Sequence, residues 1–163
     1  MPFLSHPKRI IVLAAMHALD ILHAKEAVDI IASNFTDLWF FPIPPYKMTL
    51  DQIEKSRAQC INDWADRCKV ILALAQLGAT DWVLRLMERE FDHINNLSQA
   101  FSEVGIDDFE KIFQVSLDLT IFIFEKYCQE TELKTVLKSF ASSDDGSTGL
   151  IYLSGIIEEL YKR

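Results

Sequence analysis

Glycine and proline are scarce, five of each in 163 residues, and three of the prolines stand together at Pro42, Pro44 and Pro45. With so few breakers elsewhere, long uninterrupted helices are open to the chain on both sides of that cluster. Strand signals are nearly absent. Alternation appears only at Leu117 to Phe124, and there the helical pattern of Phe109, Ile112, Phe113 and Ser116 reads straight through it, so the stretch is buried helix. No apolar run approaches the roughly 20 residues of a membrane span. Lys8 and Arg9 before Ile10 to Ala15 resemble the start of a secretory signal, but His17 and Asp20 argue against one.

Cysteine is also sparse. Cys60 and Cys68 lie eight residues apart on one expected helix, about 12 Å of rise, and cannot bridge each other. With Cys128 the number is odd and no Cys-x-x-Cys pair exists, which predicts buried thiols in a reducing cytoplasm and no disulfide framework. Gly-x-Ser-x-Gly elbows, phosphate-binding glycine loops and cysteine-centred signatures are missing as well. No enzyme and no cofactor are therefore expected. A clustered Lys and Arg surface is missing too, which disfavours DNA or RNA as a partner.

What is present is apolar mass: 50% apolar and 11% aromatic residues, ample for one continuous core. The fold class is all-α, a single domain over residues 1–163. Helices are expected at 7–22, 25–35, 50–77, 80–96, 107–128, 131–140 and 148–162. Thr49 with Gln52 and Asp107 with Glu110 form capping boxes. Gly78 and Gly105 fall where helices should stop. Residues 142–147 form a loop by composition, and Ser147 is placed to cap the last helix.

Laid over itself, the sequence matches at a shift of 55 positions: Ala18-Leu19-x-x-Leu22-His23-Ala24 recurs as Ala73-Leu74-x-x-Leu77-Gly78-Ala79. Val28 and Ile31 meet Val83 and Leu86 at the same shift, and a weaker third copy begins at Ile123-Phe124, 50 positions further on. Helical pairs of this kind bury their apolar stripes by stacking. The motif resembles the helical pairs of the HEAT and armadillo type, a likeness that implies architecture and no activity. An irregular bundle of about six to seven helices is the other arrangement the pattern allows.

The net charge of −8 is unevenly spread. Residues 1–50, 51–80 and 111–140 are each neutral, whereas residues 81–110 hold eight acids against Arg85 and Arg89. A surplus gathered on one helix creates a negative potential able to steer a basic partner. Asp81, Asp107, Asp108 and Glu110 suit helix starts, but Glu88, Glu90, Asp92 and Glu103 have no such local reason. The expected partner-binding set is Trp82, Glu88, Glu90, Asp92, Glu103, Asp107 and Asp108.

Two further constellations stand out. His17, Asp20 and His23, with Glu90 and His93, repeat a three-residue step that bundle metal sites use, but only one Glu-x-x-His is present and a metal site is not expected. Leu38 to Tyr46 is apolar and cannot be helical through its prolines. Either it folds back as core or Trp39, Phe40 and Tyr46 anchor a partner. Trp64 falls on an apolar stripe with Ile53, Cys60, Ile61, Cys68 and Ile71 and is assigned to the core. The function expected from these features is a binding or inhibitory module that engages a basic protein, as bacterial immunity proteins do. An adaptor that self-associates as a homodimer, or a metal-dependent enzyme, are the alternatives.

Overall fold

The computed structural model describes residues 3, 4, 6, 8–38, 49–102, 105, 108–141 and 147–162, with backbone only for 34–38, 50, 108–110, 140 and 141. Among the described residues the chain is all-α: seven helices and no strand. It divides into two compact units, Met1–Ala79 and Thr80–Arg163. The Trp39 to Tyr46 segment, Glu103 and Asp107 with its capping box, and loop residues 142–146 lie outside the described residues.

The first unit holds α1 (Arg9–Ile21), a 3₁₀ turn (Lys25–Ala27), α2 (Val28–Leu38) and α3 (Leu50–Gln76). Helix α3 has 27 residues, about 40 Å of rise, and both α1 and α2 pack on it. Its start is the expected capping box: Gln52 N–H donates to Thr49 Oγ1 and Thr49 N–H to Gln52 Oε1. The expected helix at 25–35 opens as the 3₁₀ turn and runs on to Leu38.

The buried side of α3 keeps Ile53, Cys60 and Ile71 of the expected apolar stripe but takes in polar positions as well. Ile53, Ser56, Cys60, Asp63, Arg67, Val70 and Leu74 are buried in a strict three-four rhythm, whereas Ile61, Trp64 and Cys68 are half-buried. The assignment of Trp64 to the core is therefore corrected. Asp63 is buried with partners. Arg9, at the first turn of α1, forms an ion pair with Asp63 and a second with Asp66 at 3.2 Å. Gln59 Nε2 donates to Asp63 at 2.8 Å. A carboxylate so partnered can be buried at tolerable cost, and Asp63 is 5% exposed.

The two segments of the self-match end in one and the same turn. After α1, Ala24 N–H donates to Leu19 O at 3.0 Å and His23 N–H to Asp20 O at 2.9 Å; after α3, Ala79 N–H donates to Leu74 O at 2.9 Å and Gly78 N–H to Ala75 O at 3.0 Å. Both are Schellman caps, which require a left-handed residue at the first position past the helix. Gly78 supplies it at φ +79°, and His23 adopts it at φ +51° despite its side chain. At the third window Cys128 N–H returns to Phe124 O at 3.3 Å, and no other described non-glycine has positive φ, so that turn is built differently. The matched residues thus spell out a capping motif twice.

The second unit holds α4 (Thr80–Ser102), α5 (Asp108–Tyr127), α6 (Glu130–Ala141) and α7 (Thr148–Leu160). All three later helices pack on α4. Val83, Leu84, Met87, Phe91, Ile94, Leu97 and Phe101 form its buried stripe, each worth about 1.5–3 kcal/mol on burial. That stripe carries α4 six residues beyond the expected end at 96, to Ser102.

Candidate functional site

The acids expected to form a docking face on α4 point in several directions. Glu90 is 1% exposed and engaged within the protein. Glu88 and Asp92, one turn apart on another side of the helix, both meet the start of α7. Asp92 Oδ1 accepts from Gly149 N–H at 2.7 Å, and the Ser147 hydroxyl donates to Glu88 Oε1. Ser147 Oγ in turn accepts from Leu150 N–H at 3.1 Å, the expected cap. Two orphan amides of α7 are thereby satisfied, one by its own cap and one by a carboxylate from α4, and the helix dipole favours that negative charge.

Gly149 makes this junction possible. A Cβ there would lie 2.0 Å from the backbone oxygen of Glu88, so only glycine lets α7 approach α4 this closely. Asp81 forms a surface ion pair with Arg85 at 3.0 Å, Trp82 is half-buried and engaged by a neighbour, and Asp108 opens α5. The expected set is thus dispersed, with Glu88 and Asp92 acting together as helix anchors.

The residues of the metal constellation have separate places within their own units. His23 sits in the Schellman turn, Glu90 is buried on α4, and His17 with Asp20 lines a cavity of about 370 Å³ in the first unit. In that cavity Gln76, oriented with its nitrogen towards Asp20, donates to both carboxylate oxygens at 2.6 and 3.2 Å. Lys69 beside it pairs with Asp66 at 2.9 Å. No group of three or more His, Cys, Asp or Glu among the described residues can hold a metal.

The cysteines are free thiols. Burial pushes Cys60 up to about 11, the Asp63 carboxylate adding to the rise and Arg67 opposing it. Burial raises Cys128 too, against a hydrogen bond with the Thr80 hydroxyl, which itself donates to Glu132 at 2.9 Å. Raised thiols make poor nucleophiles. Cys68 and Cys128 are half-buried, so complete burial holds for Cys60 alone.

The feature that residue-by-residue reading missed is a groove between α5 and α7. These helices each pack on α4, and the seam left between them is lined by Gln114, Leu117 and Ile121 from α5 and by Ile151, Tyr152, Gly155, Ile156, Glu159 and Leu160 from α7. Its volume is about 380 Å³. Its wall is braced by aromatic contacts: Tyr152 stacks edge-on to Phe113 at 4.9 Å, and Phe113 edge-on to Phe91 at 5.5 Å. Ile151 is 69% exposed. The spacing of 114, 117 and 121 was legible as one helical face, but its pairing with α7 depends on both helices sharing α4.

The rims of this groove carry more acids than bases. Glu159 lines it and Glu158 is exposed beside it. On α5, Asp118 is exposed and takes a hydrogen bond from groove residue Gln114 at 3.2 Å, and Glu125 lies one turn beyond Ile121. Lys162 is exposed one turn beyond Glu158 and Glu159, Lys111 stands one turn before Gln114 on the Asp118 side, and Lys126 falls farther round α5. No helix among the described residues is long and apolar enough to cross a membrane. No family model, no curated protein and no solved structure matches the chain.

Proposed function

We propose that this chain is a protein-binding module whose docking surface is the α5–α7 groove, and that the groove receives an amphipathic helix of a basic protein. The observation that carries the reading is an apolar, aromatic-braced seam with carboxylates on both rims. A helix laid in such a seam anchors itself through residues at positions i, i+3, i+4 and i+7, and bases flanking that stripe meet Asp118, Glu125, Glu158 and Glu159. A second copy of this chain would bring the same acids against one another, so charge favours a foreign, basic partner over self-association.

The acids of α4 keep a role in this reading. Asp92 and Glu88 accept from uncharged donors, so their negative charge is not cancelled by a base in those contacts and adds to the field that draws a basic partner in. Inhibition of a basic protein by covering it, and docking of one into an assembly, are both served by the same groove.

The test is site-specific photo-crosslinking in cells of the native source, with the reactive residue at Ile151 and, as control, at exposed Glu54 on α3. Adducts formed from Ile151 alone, whose sequenced peptide carries an apolar stripe flanked by Lys or Arg, support the reading. Equal labelling from Glu54, adducts only with this chain, or peptides without basic residues would remove it.

A further inference from the structure

Helix α7 contains two glycines, and only one has an internal reason to be there. Gly149 is required by the backbone of Glu88 at 2.0 Å, whereas a Cβ built at Gly155 meets nothing within 4 Å. Gly155 is exposed, in the interior of the helix, with no positive φ. A glycine there weakens the helix relative to alanine with no compensating contact inside the protein. It lies on the groove, one turn from Ile151 and one turn from Glu159, the apolar and acidic ends of its own ridge.

Resting on the groove reading, we infer that Gly155 is the point at which the basic partner helix crosses α7, its missing side chain letting the two backbones approach. Interaxial distance between packed helices is set by the side chains at the contact, so a residue that offers none brings the partner's apolar stripe down onto Tyr152 and Ile156 and its flanking bases within reach of Glu158 and Glu159. Gly155 is in this sense a determinant of specificity: a methyl group there is harmless to the free protein and obstructive to the complex.

The experiment uses the full chain, its Gly155→Ala and Ile151→Asp variants, and two synthetic amphipathic helical peptides with the same leucine stripe, one flanked by Lys and Arg and the other by Glu. Fluorescence anisotropy at low and high salt reads binding, and thermal unfolding reads stability. The basic peptide binds the wild type in a salt-sensitive manner and the acidic peptide does not. Gly155→Ala weakens binding by about tenfold, as overpacking at a tight contact does, while Tm rises by about 2–4 °C. Ile151→Asp abolishes binding without loss of fold.

The outcomes separate the two levels of the proposal. If the basic peptide binds Gly155→Ala as tightly as wild type while Ile151→Asp still abolishes binding, the crossing point is wrong and the groove stands. Binding indifferent to Ile151→Asp, equal binding of both peptides, or no binding of either removes the groove and the crossing together. Sedimentation of the wild type as a dimer that Ile151→Asp dissociates would make a second copy the occupant and overturn the choice of a basic partner.

Discussion

Two junctions between helices, one in each unit, use acids differently. In the first, Asp63 and Asp66 of α3 are joined to Arg9 of α1, a contact between opposite charges. In the second, Asp92 and Glu88 of α4 hold the start of α7 through a backbone amide and a hydroxyl, and Glu132 takes the Thr80 hydroxyl, donors that carry no charge. An acid answered by a base has its charge offset in that contact, whereas Glu88 and Asp92, answered by neutral donors, keep theirs within the surplus at 81–110. Concentrated charge in a sequence therefore does not by itself locate a docking patch. In this protein it partly records which kind of donor the helices use.

The largest effect follows at the neutral-donor junction. Gly149→Ala sets a Cβ against the Glu88 backbone, which must part α7 from α4 and break the Asp92 contact, at a cost of about 3–4 kcal/mol. Chemical denaturation monitored by circular dichroism reads it. A cost below that of an ordinary surface substitution would mean that α7 does not approach α4 as described.

The comparison between units is sharpened by changing acid to amide at matched positions. Asp63→Asn removes the charge opposite Arg9 in a site where Asp63 is 5% exposed, for about 2–3 kcal/mol. Asp92→Asn retains an oxygen that accepts from Gly149 N–H and costs less than about 1 kcal/mol. Asp→Ala at both positions should be costly. Equal penalties for the two amide variants would erase the distinction between charge pairing and neutral acceptance.

The helices themselves were legible because periodicity and caps are local. Thr49 with Gln52, Ser147 and the Gly78 turn are each written in adjacent residues, and each is present in the structure. The inward face of α3 was not legible in full, because Asp63 at that face is paired with Arg9, 54 residues away in sequence. Glu90 was misplaced for the same reason: a carboxylate on an amphipathic helix reads as surface until its burial is seen. The groove was hidden more deeply. Leu117 and Ile121 look like ordinary core, and their exposure to a seam depends on where α7 lies on α4.

Alkaline pH probes the Cys60 site when the wild type is set against Cys60→Ala, since burial raises Cys128 and Tyr161 of the second unit too. The Cys60 thiol is raised from its ordinary 9.0 to about 11 by burial, with Asp63 contributing. The folded state then holds the proton more tightly than the unfolded state, so the contribution is fully present below pH 9 and is lost as pH rises from 9 through 11. Over that window the loss amounts to roughly 2–3 kcal/mol. Cys60→Ala, less stable at neutral pH, should lose less on going alkaline than the wild type. Parallel decline of the two proteins in denaturant titrations at each pH would contradict burial of the thiol.

The smallest effect is expected where the units share a device instead of differing. The turns after α1 and α3 have the same hydrogen bonds, but Gly78 adopts φ +79° freely and His23 is forced to φ +51°. A non-glycine residue pays about 1–2 kcal/mol for the left-handed region, and part of that gain on replacement is returned as the greater entropy of glycine in the unfolded chain. His23→Gly should therefore stabilise the protein by about 0.5–1 kcal/mol, read as a raised Tm. Since the His23 side chain is exposed, no packing is removed to confuse the sign. A lowered Tm would mean that the imidazole makes a contact worth more than the strain, and that the two turns are alike in backbone but not in what holds them.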